Sequence, residues 1–166
     1  MNEIQLVLSQ VPLFASLPLG ELEHLAATLR AIEIAPGTLL FHESDCGDHC
    51  YVILAGQLQV IKSLGTADER LVGVRRPGEF IGEMSLMNLD GLRTASVRAP
   101  GHARLLEMTR GDFDALLRRQ PMLAYEMVRV LNERLDASHN EVLRDLQEKN
   151  RQLMQAYEEL KAKAAK

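Results

Sequence analysis

The chain has 166 residues, of which 46% are hydrophobic and 25% charged, and its formal net charge is -4 at pH 7. This length fits one globular domain with an appendage, and the composition excludes a disordered or fibrous chain. No apolar run reaches the ~20 residues of a membrane span, and no secretory signal begins the chain. The mild acidity argues against nucleic-acid binding, and two cysteines make no disulfide framework, so we expect a cytoplasmic protein.

The first predicted element is a helix that begins after Ser16, with Pro18 near its first helical position. Apolar residues then recur at the spacing of one helix face. They are Leu19, Leu22, Leu25, Ala26 and Leu29. The pattern predicts one amphipathic helix ahead of the β-rich part of the chain.

Glycines recur every eight to ten residues from Gly37 to Gly101, which is the turn spacing of an all-β barrel or sandwich. The runs between these turns alternate in polarity or are rich in β-branched residues, and they predict strands. The predicted strands are 51–54, 58–61, 70–74, 94–99 and 102–108. The first two flank Ala55-Gly56-Gln57, which predicts a short hairpin.

The C-terminal part has the pattern of helices. Thr109 and Asp112 have the spacing of a capping box, and Pro121 ends that helix and can open the next. No helix breaker follows from Met122 to Lys166. In a heptad frame the d positions are Leu146, Leu153 and Leu160, and the a positions are Leu143, Asn150, Tyr157 and Ala164. Leucine at d with one asparagine at a predicts a parallel two-stranded coiled coil, and a single amphipathic helix lying on its own domain is the alternative.

The segment from Gly78 to Val97 carries the candidate chemistry. Gly82 can take a positive φ, and residues 83–86 are long enough for one helical turn, whose free N–H groups bind anions. Arg93 can grip a phosphate in bidentate fashion, and Glu83 can accept a hydrogen bond from a ribose hydroxyl. The residues therefore predict a ribose-phosphate site, with a plain ion pair between Glu83 and Arg93 as the alternative.

Gly82 to Leu86 and Arg93 to Val97 together resemble the phosphate-binding cassette of cyclic nucleotide-binding domains of the bacterial catabolite activator type. Further marks of that family are Pro36-Gly37, Glu43, Gly47-Asp48, Tyr51-Val52-Ile53, Gly56 and Pro77-Gly78. The resemblance implies a mostly β fold, an eight-stranded antiparallel β-roll of the jelly-roll type, with N-terminal helices and a long C-terminal helix. The resemblance covers roughly Leu13 to Leu135, so we divide the chain into a binding domain, 1–135, and a helix, 136–166, whose heptads predict the dimeric coiled coil.

The resemblance also implies the ligand, which is cAMP or cGMP with cAMP favoured, and its contacts. Glu83 would bind the ribose 2′-OH, the Gly82 N–H would be offered to the ligand, Arg93 would pair with the cyclic phosphate, and Thr94 would add a hydroxyl bond. The other expected contacts are Met84, Ser85 and Leu86 in the cassette turn, Val60, Val72 and Ala95 in the pocket lining, and Ser138 and His139 at the base, one of them across the dimer. A threonine after the arginine can also help to hold guanine, so cGMP stays open.

Two other kinds of site are less well supported. His42, Cys46, His49 and Cys50 lie close together, but their spacing is not that of a structural zinc site, so we expect no metal and a free, partly buried thiol. The sequence holds no nucleophile elbow, Walker loop or H-E-x-x-H motif, so we expect no enzyme activity.

These patterns predict a homodimeric sensor whose ligand changes the packing of the C-terminal helix and signals to an output domain or partner protein. Residues 146–166 resemble linkers that precede histidine kinase, phosphatase or cyclase domains, so the chain is interpreted as a sensory part or fragment of a longer protein. A DNA-binding regulator is one alternative, although heptads rather than a helix-turn-helix follow Leu135. A non-binding dimerisation scaffold is another, and the intact Glu83, Arg93 and Thr94 argue against it.

Overall fold

The computed structural model describes residues 2–164 and contains eight strands and five helices within them. The helices are α1 (Glu3–Gln10), α2 (Leu19–Thr28), α3 (Met84–Met87), α4 (Arg110–Arg119) and α5 (Met122–Ala164). The strands are β1 (Arg30–Ile34), β2 (Leu39–Phe41), β3 (His49–Ala55), β4 (Leu58–Lys62), β5 (Arg70–Arg75), β6 (Phe80–Ile81), β7 (Ser96–Arg98) and β8 (Ala103–Thr109). The prediction of an eight-stranded β domain with flanking helices and a long C-terminal helix is confirmed.

The strands form two four-stranded antiparallel sheets, with orders β1-β8-β3-β6 and β2-β7-β4-β5. The core is made of apolar side chains contributed by both sheets. Its buried members are Ile34, Tyr51, Ile53, Leu58, Ile81, Val97, Ala99, Ala103 and Leu105. Because side chains alternate along a strand, each of these strands turns one set of residues into the core and the other set away from it.

The predicted hairpin around Gly56 is wrong, although the two strands and the turn are present. β3 pairs with β6 and β8, whereas β4 pairs with β5 and β7, so Gly56 leads the chain from one sheet into the other. A tight turn has the same residue preferences whether or not the strands beside it pair. The sequence therefore located the turn but could not show that it is a crossing between sheets.

The capping box predicted at Thr109 and Asp112 is confirmed at the start of α4. A second capping box, between Asn2 and Gln5, begins α1, a helix that the sequence analysis did not predict. α2 begins at Leu19 with Pro18 in the N-cap position. In both capping boxes the cap side chain accepts from a backbone N–H that has no partner inside the helix.

Three strands were not predicted, and one is shorter than predicted. β2 and β6 contain three and two residues, too few for a periodic pattern, and β1 directly follows the end of α2. β7 contains only Ser96–Arg98 of the predicted 94–99 segment. Thr94 and Ala95 lie outside the ladder, between the cassette and the sheet.

The chain divides into two compact units, the first ending at Met127 and the second beginning at Val128. The first turns of α5 belong to the first unit, where Leu123 and Met127 are buried. In the described part of the second unit, 128–164, every side chain is at least partly exposed. None of the helices in residues 2–164 combines the length and apolarity that crossing a bilayer requires. The domain boundary at residue 135 stays a prediction.

Candidate functional site

The predicted cassette forms a tight connection between the two sheets. β6 ends at Ile81, Gly82 takes a φ of 85°, and Glu83 is the N-cap residue of the short helix α3. A Cβ atom at Gly82 would lie 2.8 Å from Nη1 of Arg93 and 3.2 Å from the backbone oxygen of His49. Glycine is therefore required here both by the left-handed backbone conformation and by the close approach of Arg93.

Arg93 is the central cation of the site, and its side chain is 6% exposed. Its Nη1 donates hydrogen bonds to the backbone oxygen of Gly82, at 2.9 Å, and to Oγ of Ser85, at 2.8 Å. The Cζ atom lies 4.0 Å from the centroid of the Phe41 ring, which stacks on Tyr51. Burial lowers the pKa of the Arg93 guanidinium, but an arginine remains charged at neutral pH. The structure thus places a buried positive charge inside the cassette.

The Nε atom of Arg93 is also buried, and it has no hydrogen-bond partner within residues 2–164. Gly47 covers it closely, because a Cβ atom at Gly47 would lie 2.2 Å from this Nε and 2.5 Å from Oγ of Ser85. A buried donor without an acceptor is costly, by about 1–3 kcal/mol. An anion bound at this edge of the guanidinium would remove that cost.

Glu83 is 4% exposed and lines a small apolar cavity of about 20 Å³, beside Cys50, Phe113 and Met127. All the residues that line the cavity belong to the first unit. Burial raises the pKa of the Cys50 thiol to about 12, and the nearby negative charge of Glu83 adds to the effect. The Glu83 side chain is therefore buried beside apolar residues, with its charge close to the Cys50 thiol.

Arg110, the first residue of α4, was not predicted as part of the site. Its Nη1 donates to the Leu86 oxygen at 3.0 Å, and its Nη2 donates to the oxygens of Ser85, at 3.1 Å, and Gly47, at 3.3 Å. The side chain thus satisfies carbonyl groups at the end of α3 that have no partner inside the helix. A cation at the N-terminus of α4 is unfavourable for the helix dipole. This unfavourable position was the one feature of the sequence that could have indicated a role for Arg110 outside its helix.

Glu43 and Lys62 hold the backbone on the other side of Arg93. Lys62 Nζ donates to the Thr94 oxygen and to Glu43 Oε1, the latter at 2.9 Å, and Glu43 Oε2 accepts from the Ser63 N–H at 2.9 Å. These contacts, the Ser63 bond first, lower the pKa of the Glu43 carboxyl. Glu43, one of the residues that carried the resemblance, thus fixes the entry to β7.

The predicted pocket lining lies partly on one face of the second sheet. Val60 faces Gly73 on β5 and Val97 on β7, and it packs against the core. Ala95, just before β7, is buried. The register of the β4–β5 ladder shifts here, because Val60 lies opposite Gly73 whereas Ile61 lies opposite Leu71, and Val72 has no cross-strand partner among residues 2–164. The contact of Val72 with a ligand stays a prediction.

Of the predicted site residues, the structure brings Gly82, Ser85, Arg93 and, through Arg110, Leu86 into one hydrogen-bonded group. Met84 and Thr94 are exposed at its surface. Ser138 and His139 are exposed residues of α5 in the second unit, and their contact with a base stays a prediction.

The four residues considered for zinc do not form a metal site. Cys46 is exposed and Cys50 is buried, and both are free thiols. His49 Nδ1 instead lies 2.5 Å from an oxygen of Asp48. Across residues 2–164, no group of three or more histidine, cysteine, aspartate or glutamate side chains is arranged to hold a metal ion.

Comparisons with known proteins agree with this geometry. A sequence profile described as "Cyclic nucleotide-binding domain" matches residues 31–120. The chain is 32% identical over 124 residues to the Cyclic AMP receptor protein of Thermus thermophilus, covering 75% of this chain and 57% of that protein. The N-terminal domain of a transcriptional regulator from Streptomyces coelicolor A3(2) has 34% identity and a TM-score of 0.62, covering 82% of this chain and 94% of that one. The regulatory domain of Toxoplasma gondii PKA, crystallised with cAMP, has 29% identity and a TM-score of 0.61, covering 69% of this chain and 45% of that one.

The chain spans only part of the curated relatives it matches, covering 57%, 34% and 59% of three of them. The matched profile nevertheless takes in more than half of this chain, including the whole cassette and both sheets apart from the first residue of β1. On this match, together with the buried arginine that the cassette encloses, the chain belongs to the cyclic nucleotide-binding domain family.

Proposed function

We propose that the domain is a cyclic nucleotide sensor and that its ligand is cAMP, with cGMP as the alternative. The observation that carries the proposal is Arg93, a buried guanidinium held against Gly47, Gly82 and Ser85 with its Nε unpartnered. The names of the relatives above, which include a cyclic AMP receptor and a regulatory domain crystallised with cAMP, support the choice of ligand.

The chemistry of the cassette supports a cyclic phosphate at Arg93. In the structure the Nη1 donor of Arg93 bonds neutral oxygens of Gly82 and Ser85. A charged phosphate oxygen is a stronger acceptor than either, and a guanidinium can bind it through two N–H groups. Phosphate binding would therefore satisfy Nε and draw the guanidinium away from its present partners.

The neighbouring residues suit the rest of the ligand. We propose that the Glu83 carboxylate accepts from the ribose 2′-OH, that the Gly82 N–H and the α3 turn residues Met84, Ser85 and Leu86 line the ribose phosphate, and that Thr94 adds a hydroxyl bond. Val60 and Ala95 would contact the ligand through apolar surface. Val72, Ser138 and His139 remain candidates, the last two from the C-terminal helix.

Arg110 gives the site a route to the helices. It is the first residue of α4, and it donates hydrogen bonds to the backbone oxygens of Gly47, Ser85 and Leu86. Gly47 and Ser85 are also close to the guanidinium of Arg93. A movement of Ser85 that follows phosphate binding would change the bonds that hold α4 in place. A ligand shifts such an equilibrium only by its difference in affinity for the two arrangements.

We propose that the second unit carries the signal as a parallel homodimeric coiled coil to an output domain or partner protein. The described part of this unit exposes a row of large apolar side chains at heptad spacing. They are Leu143, Leu146, Leu153, Tyr157 and Leu160. A helix this apolar along one stripe needs a partner surface, and Asn150 in the same stripe favours two parallel strands. The chain would act by binding, not by catalysis.

Calorimetric titration of the intact chain with cAMP, cGMP and 5′-AMP tests the ligand. We expect cAMP or cGMP to bind with a dissociation constant well below millimolar, and 5′-AMP to bind much more weakly because its phosphate is not cyclic. Absence of binding by both cyclic nucleotides at millimolar concentration would reject the sensor function and leave the scaffold alternative.

A further inference from the structure

Arg75 is a second cationic side chain on the face of the sheet that carries Val60. In the ladder between β4 and β5, Leu58 lies opposite Arg75, and Val60 lies opposite Gly73. Cross-strand partners point to the same face of a sheet. Leu58 is fully buried in the core between the sheets, so Arg75 points to the inner face as well.

The guanidinium of Arg75 lies over Gly73. A Cβ atom at Gly73 would be 3.1 Å from Nη1 of Arg75 and 3.8 Å from its Cζ. The side chain therefore folds back along β5 toward the position opposite Val60. Val60, Gly73 and Arg75 are each only partly buried, whereas Leu58 and Val97 on the same face are fully buried, so the inner face is less tightly covered here.

The Nε atom of Arg75 is buried and has no hydrogen-bond partner within residues 2–164. Only two side-chain atoms of the described residues share this condition, and the other is Nε of Arg93. Buried donors are nearly always paired, so an unpaired one calls for a partner that the chain itself does not supply. A guanidinium offers donors only, so that partner has to present acceptors.

Arg75 lies away from the phosphate end of the site. Lys62, at the end of β4, contacts the Thr94 oxygen next to Arg93, whereas Arg75 pairs with Leu58 at the start of β4. Leu58 and Lys62 are four positions apart along β4, a distance of about 13 Å. A nucleotide with its phosphate at Arg93 and its sugar or base against Val60 would therefore direct its base toward Arg75.

We propose that Arg75 contacts the purine base of the bound cyclic nucleotide and raises the affinity for guanine relative to adenine. The proposal rests on the proposed function. Guanine presents two adjacent acceptors, O6 and N7, which match an arginine fork, whereas adenine replaces O6 with an amino group that is itself a donor. Arg75 thus reduces the difference in affinity between cAMP and cGMP that the names of the relatives suggest. It is a further residue that determines base specificity in the site.

The test is calorimetric titration of the full chain and of Arg75→Leu and Arg75→Lys with cAMP, cGMP and cyclic inosine monophosphate. We expect Arg75→Leu to weaken cGMP binding by about tenfold and cAMP binding by less than about threefold. Cyclic inosine monophosphate has O6 and N7 but no 2-amino group, so it should follow cGMP. Arg76→Leu removes an exposed arginine next along the chain and is the matched control, expected to leave the ratio of affinities unchanged.

The outcomes separate the two proposals. If the unaltered chain binds neither cyclic nucleotide, the proposed function fails, and the role of Arg75 fails with it. If the chain binds them but Arg75→Leu weakens cAMP and cGMP equally, or not at all, the sensor function stands and the specificity role is overturned. Arg75→Lys keeps the charge and loses the fork, so it gives the same comparison if the leucine variant does not fold.

Discussion

The cassette and the C-terminal helix depart from ordinary burial in opposite ways. Around the cassette, charged side chains are buried, and Arg93 and Arg110 bond backbone oxygens of the same unit. Along the described part of the second unit, large apolar side chains such as Leu153 and Leu160 are 68% and 66% exposed. Buried charge and a row of exposed leucines are both informative, because each is costly without a function. In the proposed function, the first region binds a small anionic ligand and the second pairs with another protein surface.

Leu153→Asp should have the largest effect of the variants considered, and it acts on dimerisation through the C-terminal helix. A carboxylate at the centre of an apolar seam cannot be buried without a large penalty, so we expect a dimer to become a monomer. Light scattering or sedimentation measures the change. Glu148→Asp, at an exposed position on the same helix, is the control and should leave the dimer intact. A dimer that persists in Leu153→Asp would place the interface elsewhere.

Gly47→Ala should have the next largest effect and acts on the cassette alone. The new methyl group would overlap Nε and Cζ of Arg93, at 2.2 and 2.4 Å, so the guanidinium has to move. Overpacking of this kind costs about 1–3 kcal/mol. We expect a lower free energy of unfolding and at least tenfold weaker binding of cyclic nucleotide, with the oligomeric state unchanged. Gly101→Ala, where a Cβ atom meets nothing within 4 Å, is the matched control.

Arg110→Ala should weaken ligand binding less than Gly47→Ala does, with a loss of stability of similar size in the same region. Loss of its bonds to Leu86, Ser85 and Gly47 leaves those carbonyl groups without this charged donor, at a cost of about 1.5–3 kcal/mol in the free energy of unfolding. Urea unfolding measures this loss, and titration should show weaker ligand binding as well. Arg118→Ala, on the exposed side of α4, should change neither quantity. If the two variants have the same free energy of unfolding and the same ligand affinity, Arg110 has no role in the site.

Glu43→Gln should have the smallest effect and a defined pH dependence. The pKa of Glu43 is lower in the folded chain than in the unfolded one, so its ionised form stabilises the fold at neutral pH, and this contribution fades as the pH falls through the lowered pKa. We expect the variant to be less stable than the unaltered chain at pH 7 and the difference to shrink at pH 3. Urea unfolding at the two values checks this, and a constant difference would contradict it.

Much of the fold could be predicted because its signals are local. The glycine spacing marked the turns, Thr109 and Asp112 marked a helix start, and the uninterrupted run from Met122 marked α5. The pairing of strands was less accessible, because Gly56 has the features of a hairpin turn even though β3 and β4 lie in different sheets. Pairing depends on contacts distant in sequence, which one chain's local pattern does not contain.

The candidate site divides in the same way. Gly82, Glu83 and Arg93 could be found because the cassette is a contiguous motif that resembles a known family. The sequence analysis found neither Arg110, for which a cation at the start of α4 was the one sign, nor Arg75. The positions of both side chains relative to the cassette depend on where α4 and β5 lie in space. The fold adds that Nε of Arg93 and Nε of Arg75 are both buried without a hydrogen-bond partner within residues 2–164, a property that the sequence does not contain.

The central claim is that Arg93 is the cation for a cyclic phosphate, and titration of Arg93→Ala with cAMP and cGMP tests it most directly. Arg93→Lys, which keeps the charge, and Arg98→Ala, an arginine that bonds Gln59 on the outer face, serve as comparisons. We predict that Arg93→Ala loses about 2–5 kcal/mol of binding free energy, that Arg93→Lys loses less, and that Arg98→Ala loses little. A folded Arg93→Ala protein with an unchanged dissociation constant would contradict the account.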